Sequence, residues 1–353
     1  MDNAKLELHA LPKIDLHRHL EGSLRLGTLA DIARQHGIDL PGRSIEDLQP
    51  LVTATGEEPD FHRFLEKFKL LRRFYPTQEA VERVAYEAVA DAADDNVKYL
   101  ELRFNPVALA LHQGFPLGGV TDWVCRAVAE AERAYDVRTN LIIQVGRDAT
   151  VGTATDLAQV ALAHADQGVV GLDLAGDERR YPAAPFIDIF RQARRDGLHV
   201  TIHAGEAGPP KNIEEAIRDL EAERIGHGIR CVEDPNVVSL IRERNVTLEI
   251  CPTSNMQTGV VRHLSRHPLP ELLALDLPVS INTDDPSVSD TTLTNEYRVA
   301  VSTMSITLDQ IKRMIVTAAE ASFQPSRDRD RMAAWFRREL ALDDETDTTG
   351  EPQ

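Results

Sequence analysis

A regular alternation of predicted strands and helices restricts the folds that this chain of 353 residues can adopt. From residue 77 onward, short runs rich in Val, Ile and Leu alternate with longer segments whose apolar residues recur at helical spacing. The predicted strands are a first one within residues 13–22 and seven more at 97–104, 138–146, 169–174, 198–203, 225–227, 246–250 and 279–282. Strands that alternate with helices pair in parallel, so eight such units predict an α/β fold, a closed (β/α)8 TIM barrel.

A helical insertion is predicted between the first two strands, at residues 44–76, after a helix at 24–36. Its apolar stripe follows the i, i+3, i+4, i+7 pattern and consists of Phe61, Phe64, Leu65, Phe68 and Leu71. Asp60 is placed to cap this helix. We favour core packing for the stripe over the alternative, a hydrophobic lid above a pocket. A helical region at 292–341 is predicted to follow the last strand.

The composition limits the kinds of partner that this chain can bind and the cellular compartment in which we expect it. A formal net charge of −18 argues against nucleic acid or an anionic membrane as a partner. No run approaches about 18 apolar residues, and we expect neither a membrane span nor a signal peptide. The three cysteines, Cys125, Cys231 and Cys251, are widely spaced, which predicts free thiols in a cytoplasmic protein.

No linker or internal repeat divides the sequence. We therefore predict a single barrel domain over residues 1–342. The remaining residues, 343–353, are acidic and lack apolar anchors, so they are predicted to be disordered. Nothing in the sequence indicates the oligomeric state.

Polar residues collect at the predicted strand ends, where the active site of such a barrel lies. His17 and His19 have the i, i+2 spacing that places two side chains on one face of a strand. The others include Glu21, Asp173, Asp177, Glu178, His203, Glu206, His227, Asn255, Asp284 and Asp285. Each alone has a structural explanation. Together they indicate one site, because buried charges are costly unless they are paired or bind a metal.

Four of these residues together form a ligand set that is typical of a catalytic metal site. Three imidazole nitrogens and one carboxylate leave one position open for water, and the predicted ligands are His17, His19, His203 and Asp284. This set suits Zn²⁺, while Co²⁺, Mn²⁺ and Fe²⁺ are also compatible. Such a metal lowers the pKa of its bound water to about 7.

Proton transfer can be assigned to neighbouring residues. His227 and Asp284 are candidates to take the proton of the water and to orient the hydroxide. Glu206, three residues beyond His203, can face the substrate as a proton donor. We expect its pKa to be raised, since it lies near other carboxylates in a dry pocket.

Six motifs stand at the predicted strand ends: Leu-His-x-His-Leu-Glu-Gly, Leu-Asp-Leu-Ala-Gly-Asp-Glu, His-Ala-Gly-Glu, Ile-Gly-His-Gly, Cys-Pro-Thr-Ser-Asn and Asn-Thr-Asp-Asp-Pro. Together they resemble those of the adenosine/adenine deaminase family, a branch of the amidohydrolase superfamily. The resemblance covers residues 10–325 in the family's order and is strongest to bacterial adenosine deaminases. It implies a TIM barrel with one zinc ion per chain that hydrolyses adenosine and 2'-deoxyadenosine to inosine and 2'-deoxyinosine, with release of ammonia, in purine salvage.

The resemblance also implies a role for each matching residue. Zinc would be held by His17, His19, His203 and Asp284, with Glu206 protonating purine N1 and His227 acting on the water. Substrate contacts would come from His19, Glu21, Asp285 at purine N7 and the Gly176 backbone N–H at N3. Hydroxide would add to C6, and ammonia would leave from the tetrahedral intermediate.

Glu21 departs from the pattern of adenosine-specific members, which usually carry Asp there to hold the ribose hydroxyl. Adenine-specific members often have Glu at this position. The segments around Thr253–Gly259 and Ile281–Asp285 nevertheless look more like bacterial adenosine deaminases. Adenosine and deoxyadenosine are therefore the predicted substrates, with adenine or a modified nucleoside such as aminodeoxyfutalosine as the alternative.

Other classes of protein fit less well. A binuclear metal hydrolase usually needs a carboxylated Lys at the end of the fourth strand, and this chain has Asp173-Leu174-Ala175-Gly176 there. The His-x-Glu and Pro-Cys-x-x-Cys motifs of cytidine-type deaminases are absent from the sequence. A non-enzymatic binding protein on this scaffold would be expected to lack a metal ligand or Glu206, and all are present.

Overall fold

Eight parallel strands form the centre of the computed structural model, which describes residues 3–40, 45–54 and 59–342. The strands are β1 (Lys13–His19), β2 (Val97–Phe104), β3 (Arg138–Gly146), β4 (Val169–Ala175), β5 (His199–Ala204), β6 (Arg224–His227), β7 (Thr247–Ile250) and β8 (Val279–Ile281). β2 to β8 agree with the predicted bounds to within one residue at each end. The predicted α/β barrel fold is therefore confirmed.

The strands pair in sequence order, each with the next one along the chain, and all pairs are parallel. The first and last strands meet through backbone hydrogen bonds just beyond the end of β8. The N–H of Asp284 donates to the carbonyl of His17 at 2.8 Å, and the N–H of His19 donates to the carbonyl of Asp284 at 2.8 Å. Three of the four predicted metal ligands thus lie on the seam that closes the barrel.

Helices surround the barrel and cover one of its ends. The helices are α1 (Asn3–Ala10), α2 (Leu26–His36), α3 (Ile45–Val52), α4 (Phe61–Leu71), α5 (Gln78–Asp94), α6 (Pro106–Ala110), α7 (Leu117–Ala134), α8 (Val151–Ala163), α9 (Ile187–Arg195), α10 (Pro210–Arg218), α11 (Pro235–Arg244), α12 (Pro252–Gln257), α13 (Leu269–Ala274), α14 (Pro286–Ser289), α15 (Leu293–Met304), α16 (Leu308–Ala321) and α17 (Ser326–Glu339). Buried apolar side chains fill the space between sheet and helices. In the described part of the chain, no helix has the length and apolar character needed to cross a membrane.

The predicted insertion contains α3 and α4. Asp60 caps α4 as expected, because its side chain accepts a hydrogen bond from the N–H of Arg63 at 2.8 Å. Phe64 packs into the core, as favoured from the sequence. Three residues of this stripe, Phe61, Phe64 and Phe68, also line the cavity described below. The stripe therefore also has the position expected from the alternative, a hydrophobic lid above a pocket. The predicted disordered tail, 343–353, lies outside the described residues.

The interior of the barrel contains charged groups around Glu249 of β7. One carboxylate oxygen accepts from His17 Nδ1 at 2.7 Å and from Arg103 at 2.8 Å. The other accepts from Arg224 Nε at 2.6 Å and from Thr201 Oγ1 at 3.1 Å. Glu249 and both arginines are almost fully buried. Buried charges of this kind are tolerated because each is paired with an opposite charge, although Nε of Arg103 has no hydrogen-bond partner among the described residues.

Candidate metal centre and active site

The predicted site residues meet at the C-terminal ends of the strands, where the backbone turns sharply. His227 and Asp284 have φ angles of +62° and +63°, a region that non-glycine residues rarely adopt. Gly205 and Gly176 turn the ends of β5 and β4 with φ angles of +68° and +115°. Strained backbone of this kind clusters at functional sites, because the surrounding structure must hold it in place.

Three histidines present unprotonated nitrogens to one another. His17 Nδ1 lies 2.7 Å from Glu249, His19 Nδ1 lies 2.8 Å from Gln144 Oε1, and His203 Nδ1 lies 2.9 Å from Asp173. Since each of these partners offers an acceptor, each Nδ1 carries the proton of the neutral ring. The three Nε2 atoms therefore direct lone pairs to a common point.

These atoms have the spacing of ligands around one ion. Nε2 of His19 lies 3.2 Å from Nε2 of His17 and 3.3 Å from Nε2 of His203. Oδ1 of Asp284 lies 3.2 Å from Nε2 of both His17 and His19. A tetrahedral zinc site with Zn–N bonds of 2.0–2.1 Å has neighbouring ligand atoms about 3.3–3.4 Å apart. Lone pairs that face one another without protons repel, so the donor set fits a cation.

His227 lies beside this cluster. Its Nε2 is 3.7 Å from a carboxylate oxygen of Glu206 and 3.9 Å from Oδ2 of Asp284. It also lies within 4.8 Å of donor atoms of His17 and His203, so distance alone allows it as an alternative ligand. Its Nδ1 faces Nδ2 of Asn255 at 3.2 Å, unlike the Nδ1 atoms of the three histidines above.

Glu206 is buried in the same pocket, 8% exposed. Burial raises its pKa well above the ordinary value, and the nearby carboxylates of Asp284 and Glu178 raise it further. Glu178 also holds the loop that carries it, since its carboxylate accepts from the backbone N–H groups of Gly205, Glu206 and Gly208 at 3.0, 2.9 and 2.6 Å. The expected raised pKa of Glu206 thus has a structural cause.

Asp285 packs against a glycine of the first loop. A Cβ built on Gly22 would lie 1.9 Å from Oδ1 of Asp285, so only glycine leaves room for this carboxyl group. Among the described residues, this buried Oδ1 has no hydrogen-bond partner. Burial raises the pKa of Asp285, and the adjacent Asp284 carboxylate adds to the effect. An unpaired buried oxygen that lines a cavity is suited to a ligand.

Glu21 is held by one oxygen and leaves the other open. Its Oε1 accepts the backbone N–H of Asn105 at 2.8 Å, while Oε2 is buried and has no partner among the described residues. Burial raises the pKa of Glu21, although the Asn105 N–H opposes this. The open oxygen is placed to hydrogen-bond a ligand.

All these groups border one cavity of about 570 Å³. His19, Glu21, His203, Glu206, His227, Asp284 and Asp285 line it, and Gly176 lies at its wall. His17 is 0% exposed and lies behind them. The apolar stripe of α4 closes the opposite side. The cavity is large enough for a purine nucleoside.

Sequence reasoning did not assign a role to the residues that orient the site. Glu249, Asp173 and Gln144 fix the ring nitrogens of the three histidines, and Asn255 of α12 contacts His227. Glu249, Asp173 and Gln144 each lie on a strand between two apolar neighbours. Such an isolated polar position in a buried strand is the signal that could have found them.

Comparisons with known proteins show which family shares this sequence and fold. The sequence profile described as adenosine deaminase matches residues 12–336. An adenosine deaminase from Klebsiella pneumoniae is 41% identical over 316 residues, which cover 89% of this chain and 94% of the relative.

Two solved structures share the fold. An adenine deaminase from Arthrobacter aurescens is 29% identical with a TM-score of 0.87, and the match covers 94% of this chain and 100% of that one. A zinc-containing amidohydrolase from Burkholderia ambifaria is 23% identical with a TM-score of 0.88, over 97% of this chain and 94% of that one. The extent of the profile match and the identity to the Klebsiella protein show that this chain belongs to the adenosine deaminase family.

Proposed function

We propose that this protein is a hydrolase of carbon–nitrogen bonds that deaminates adenosine and 2'-deoxyadenosine to the corresponding inosines, a reaction of purine salvage. The observation that carries the proposal is the convergence of a metal-type donor set with a buried proton donor, Glu206, in one cavity of nucleoside size. The family membership and the relatives named adenosine deaminase support it.

The donor set His17, His19, His203 and Asp284 is proposed to hold one zinc ion. When bound, zinc supplies Lewis-acid activation of a water molecule at neutral pH. His17 and His203 keep their ring orientation because Glu249 and Asp173 accept their Nδ1 protons. Such carboxylate partners orient the ligand and raise its basicity.

The cavity residues bind the purine and move its protons. Glu206 donates a proton to N1, which lowers the cost of adding an oxygen nucleophile to C6. Asp285 hydrogen-bonds N7 through its unpaired carboxyl group, and the N–H of Gly176 meets N3. The proton that Asp284 takes from the water passes to the C6 amino group, the C6–N bond breaks, and ammonia leaves. The remaining O–H proton returns to Glu206 as the C6 carbonyl of the inosine ring forms.

Glu21 is proposed to contact the ribose through Oε2. One observation also favours a second candidate, the free base adenine. Glu21 is one methylene longer than the Asp that holds the ribose in most adenosine-specific relatives, and its Oε2 is unpaired in the cavity. An adenine substrate would leave that space for the longer side chain. Aminodeoxyfutalosine would need a larger sugar-side space.

An ammonia-release assay separates these candidates. The zinc-loaded enzyme is supplied in turn with adenosine, 2'-deoxyadenosine, adenine and aminodeoxyfutalosine at equal concentrations. The proposal expects the highest kcat/KM with adenosine or deoxyadenosine. A higher kcat/KM with adenine would replace it by the second candidate, and no ammonia from any of the four would refute a purine deaminase.

We further propose that the enzyme acts in the cytoplasm. Cys125, Cys231 and Cys251 are all buried free thiols. Unpaired cysteines without disulfides are typical of proteins of a reducing compartment.

A further inference from the structure

A chain of hydrogen bonds runs from the start of α13 to His227 and passes through two buried residues with no proposed contact to substrate or metal. The backbone N–H of Leu269 donates to Nδ1 of His267 at 3.0 Å. Nε2 of His267 lies 3.2 Å from Oδ1 of Asn255, and Nδ2 of Asn255 lies 3.2 Å from Nδ1 of His227. His267 is 4% exposed and Asn255 is 0% exposed.

We propose that Asn255 and His267 are positioning residues that fix His227 in the tautomer with the proton on Nε2, so that His227 presents a hydrogen-bond donor to the reacting oxygen. The inference deepens the proposed function, because it assigns the direction in which His227 acts at that site.

The direction of each bond follows from the fixed donor at the start of the chain. A backbone N–H can only donate, so Nδ1 of His267 must carry a lone pair. A neutral imidazole has one proton, which must then lie on Nε2. Burial lowers the pKa of His267 to about 3, which keeps the ring neutral at physiological pH.

The orientation of the Asn255 amide is then determined. Since Nε2 of His267 donates, the atom that faces it must be the carbonyl oxygen of Asn255. The amide nitrogen therefore points to His227 and donates to its Nδ1. A flipped amide would place two donors against each other at His267, so the alternative assignment is excluded by hydrogen-bond chemistry.

His227 therefore differs from the three predicted histidine ligands in which ring nitrogen carries the proton. His17, His19 and His203 have acceptors at Nδ1 and so direct lone pairs to the ion. His227 has a donor at Nδ1 and so directs an N–H into the cavity, toward oxygens of Glu206 and Asp284. This opposite tautomer argues against His227 as a ligand and leaves Asp284 as the acceptor for the proton of the water.

The kinetic test compares three variants with the wild type, all as zinc-loaded enzyme. Asn255→Asp keeps the shape but replaces the amide donor by an acceptor, which should move the proton of His227 to Nδ1. We expect kcat to fall by at least about 10²-fold, the usual effect of removing a preorganised donor, with KM changed by less than about threefold. His267→Gln keeps a donor toward Asn255 and should retain activity within about fivefold. His267→Met lacks this donor, and its activity should fall by about tenfold or more.

Long-range ¹H–¹⁵N NMR spectra of enzyme labelled with ¹⁵N-histidine report the tautomer of His227 directly and need no substrate. The signals of His227 are assigned as those that disappear in the His227→Gln variant. We expect protonated Nε2 in the wild type and protonated Nδ1 in Asn255→Asp. A wild type with protonated Nδ1, a loss of kcat without a change of tautomer, or an Asn255→Asp variant within threefold of wild-type kcat would each overturn the inference. If Asn255→Asp does not fold, equal kcat in His267→Gln and His267→Met overturns it. The proposed function fails separately, if the wild type releases no ammonia.

Discussion

Gly22 sets the position of Asp285. Its replacement by alanine should impair the enzyme although no residue proposed to contact the substrate is changed. The new Cβ would meet Oδ1 of Asp285 at 1.9 Å and its Cβ and Cγ at 2.5 Å. Real Cβ atoms do not approach other heavy atoms within 3.0 Å, so the carboxyl group must move by about 1.1 Å. Gly22 does not have a positive φ angle, so backbone strain does not contribute.

The magnitude follows from the proposed bond to purine N7. N7 can only accept, so the carboxyl group of Asp285 must donate its proton, and a displacement of this size breaks the bond. Leaving a buried polar group without its partner costs about 1–3 kcal/mol, which corresponds to about a 5- to 150-fold loss in kcat/KM. We expect Gly22→Ala to lose adenosine turnover within this range and to keep its zinc.

Steady-state kinetics with adenosine, together with metal analysis, provide the assay. Gly27→Ala is the matched control, because a Cβ there meets nothing within 4 Å on an exposed turn of α2. It should leave kcat/KM unchanged. With 7-deazaadenosine, which lacks N7, the relative loss caused by Gly22→Ala should largely disappear. Wild-type kcat/KM in Gly22→Ala, or an equal loss with both substrates, would refute the reasoning.

Four further predictions concern the proposed site. Glu206→Gln keeps the shape but removes the acidic proton, so kcat should fall by at least about 10²-fold at full zinc content, and near-wild-type turnover would contradict its role. In the wild type, kcat should decrease as pH rises through the raised pKa of Glu206, since only the protonated form donates to N1. Elemental analysis should give about one zinc per chain, with activity lost to a chelator and restored by metal; two tightly bound ions would contradict a mononuclear site. Glu21→Ala should reduce kcat/KM for adenosine by about ten- to a hundredfold and leave zinc in place, whereas a wild type that prefers adenine would remove Glu21 as a ribose contact.

Local periodicity was sufficient to predict the strands and the end of the barrel at which His17 and Asp284 meet, because buried parallel strands have a strong apolar signal. It was insufficient for α1, α6, α12 and α14. Three of these are helices of four to six residues that begin with Pro in the loop that follows a strand. Helices this short have little periodicity, and tertiary contacts stabilise them.

The orienting residues were missed for a different reason. Glu249 and His17 are 232 residues apart in the sequence and meet only across the barrel. In a stretch such as Val246–Ile250, one Glu between apolar residues is equally compatible with an outward-facing position. Asn255 was noticed as part of a strand-end motif, but its partner His267 lies in an ordinary loop, and no spacing rule connects the two.

The buried carboxylate of Glu249 has a consequence for the assembly of the chain. It is the shared acceptor for groups on β1, β2, β5 and β6, and it lies on β7. A truncated chain that ends before β7 would leave Arg103 with Asp173 and Arg224 with Glu101, but without the carboxylate that both arginines share, at a cost of several kcal/mol. Half-barrels of this protein should therefore not be stable alone, and stable structure during synthesis should wait until β7 has left the ribosome.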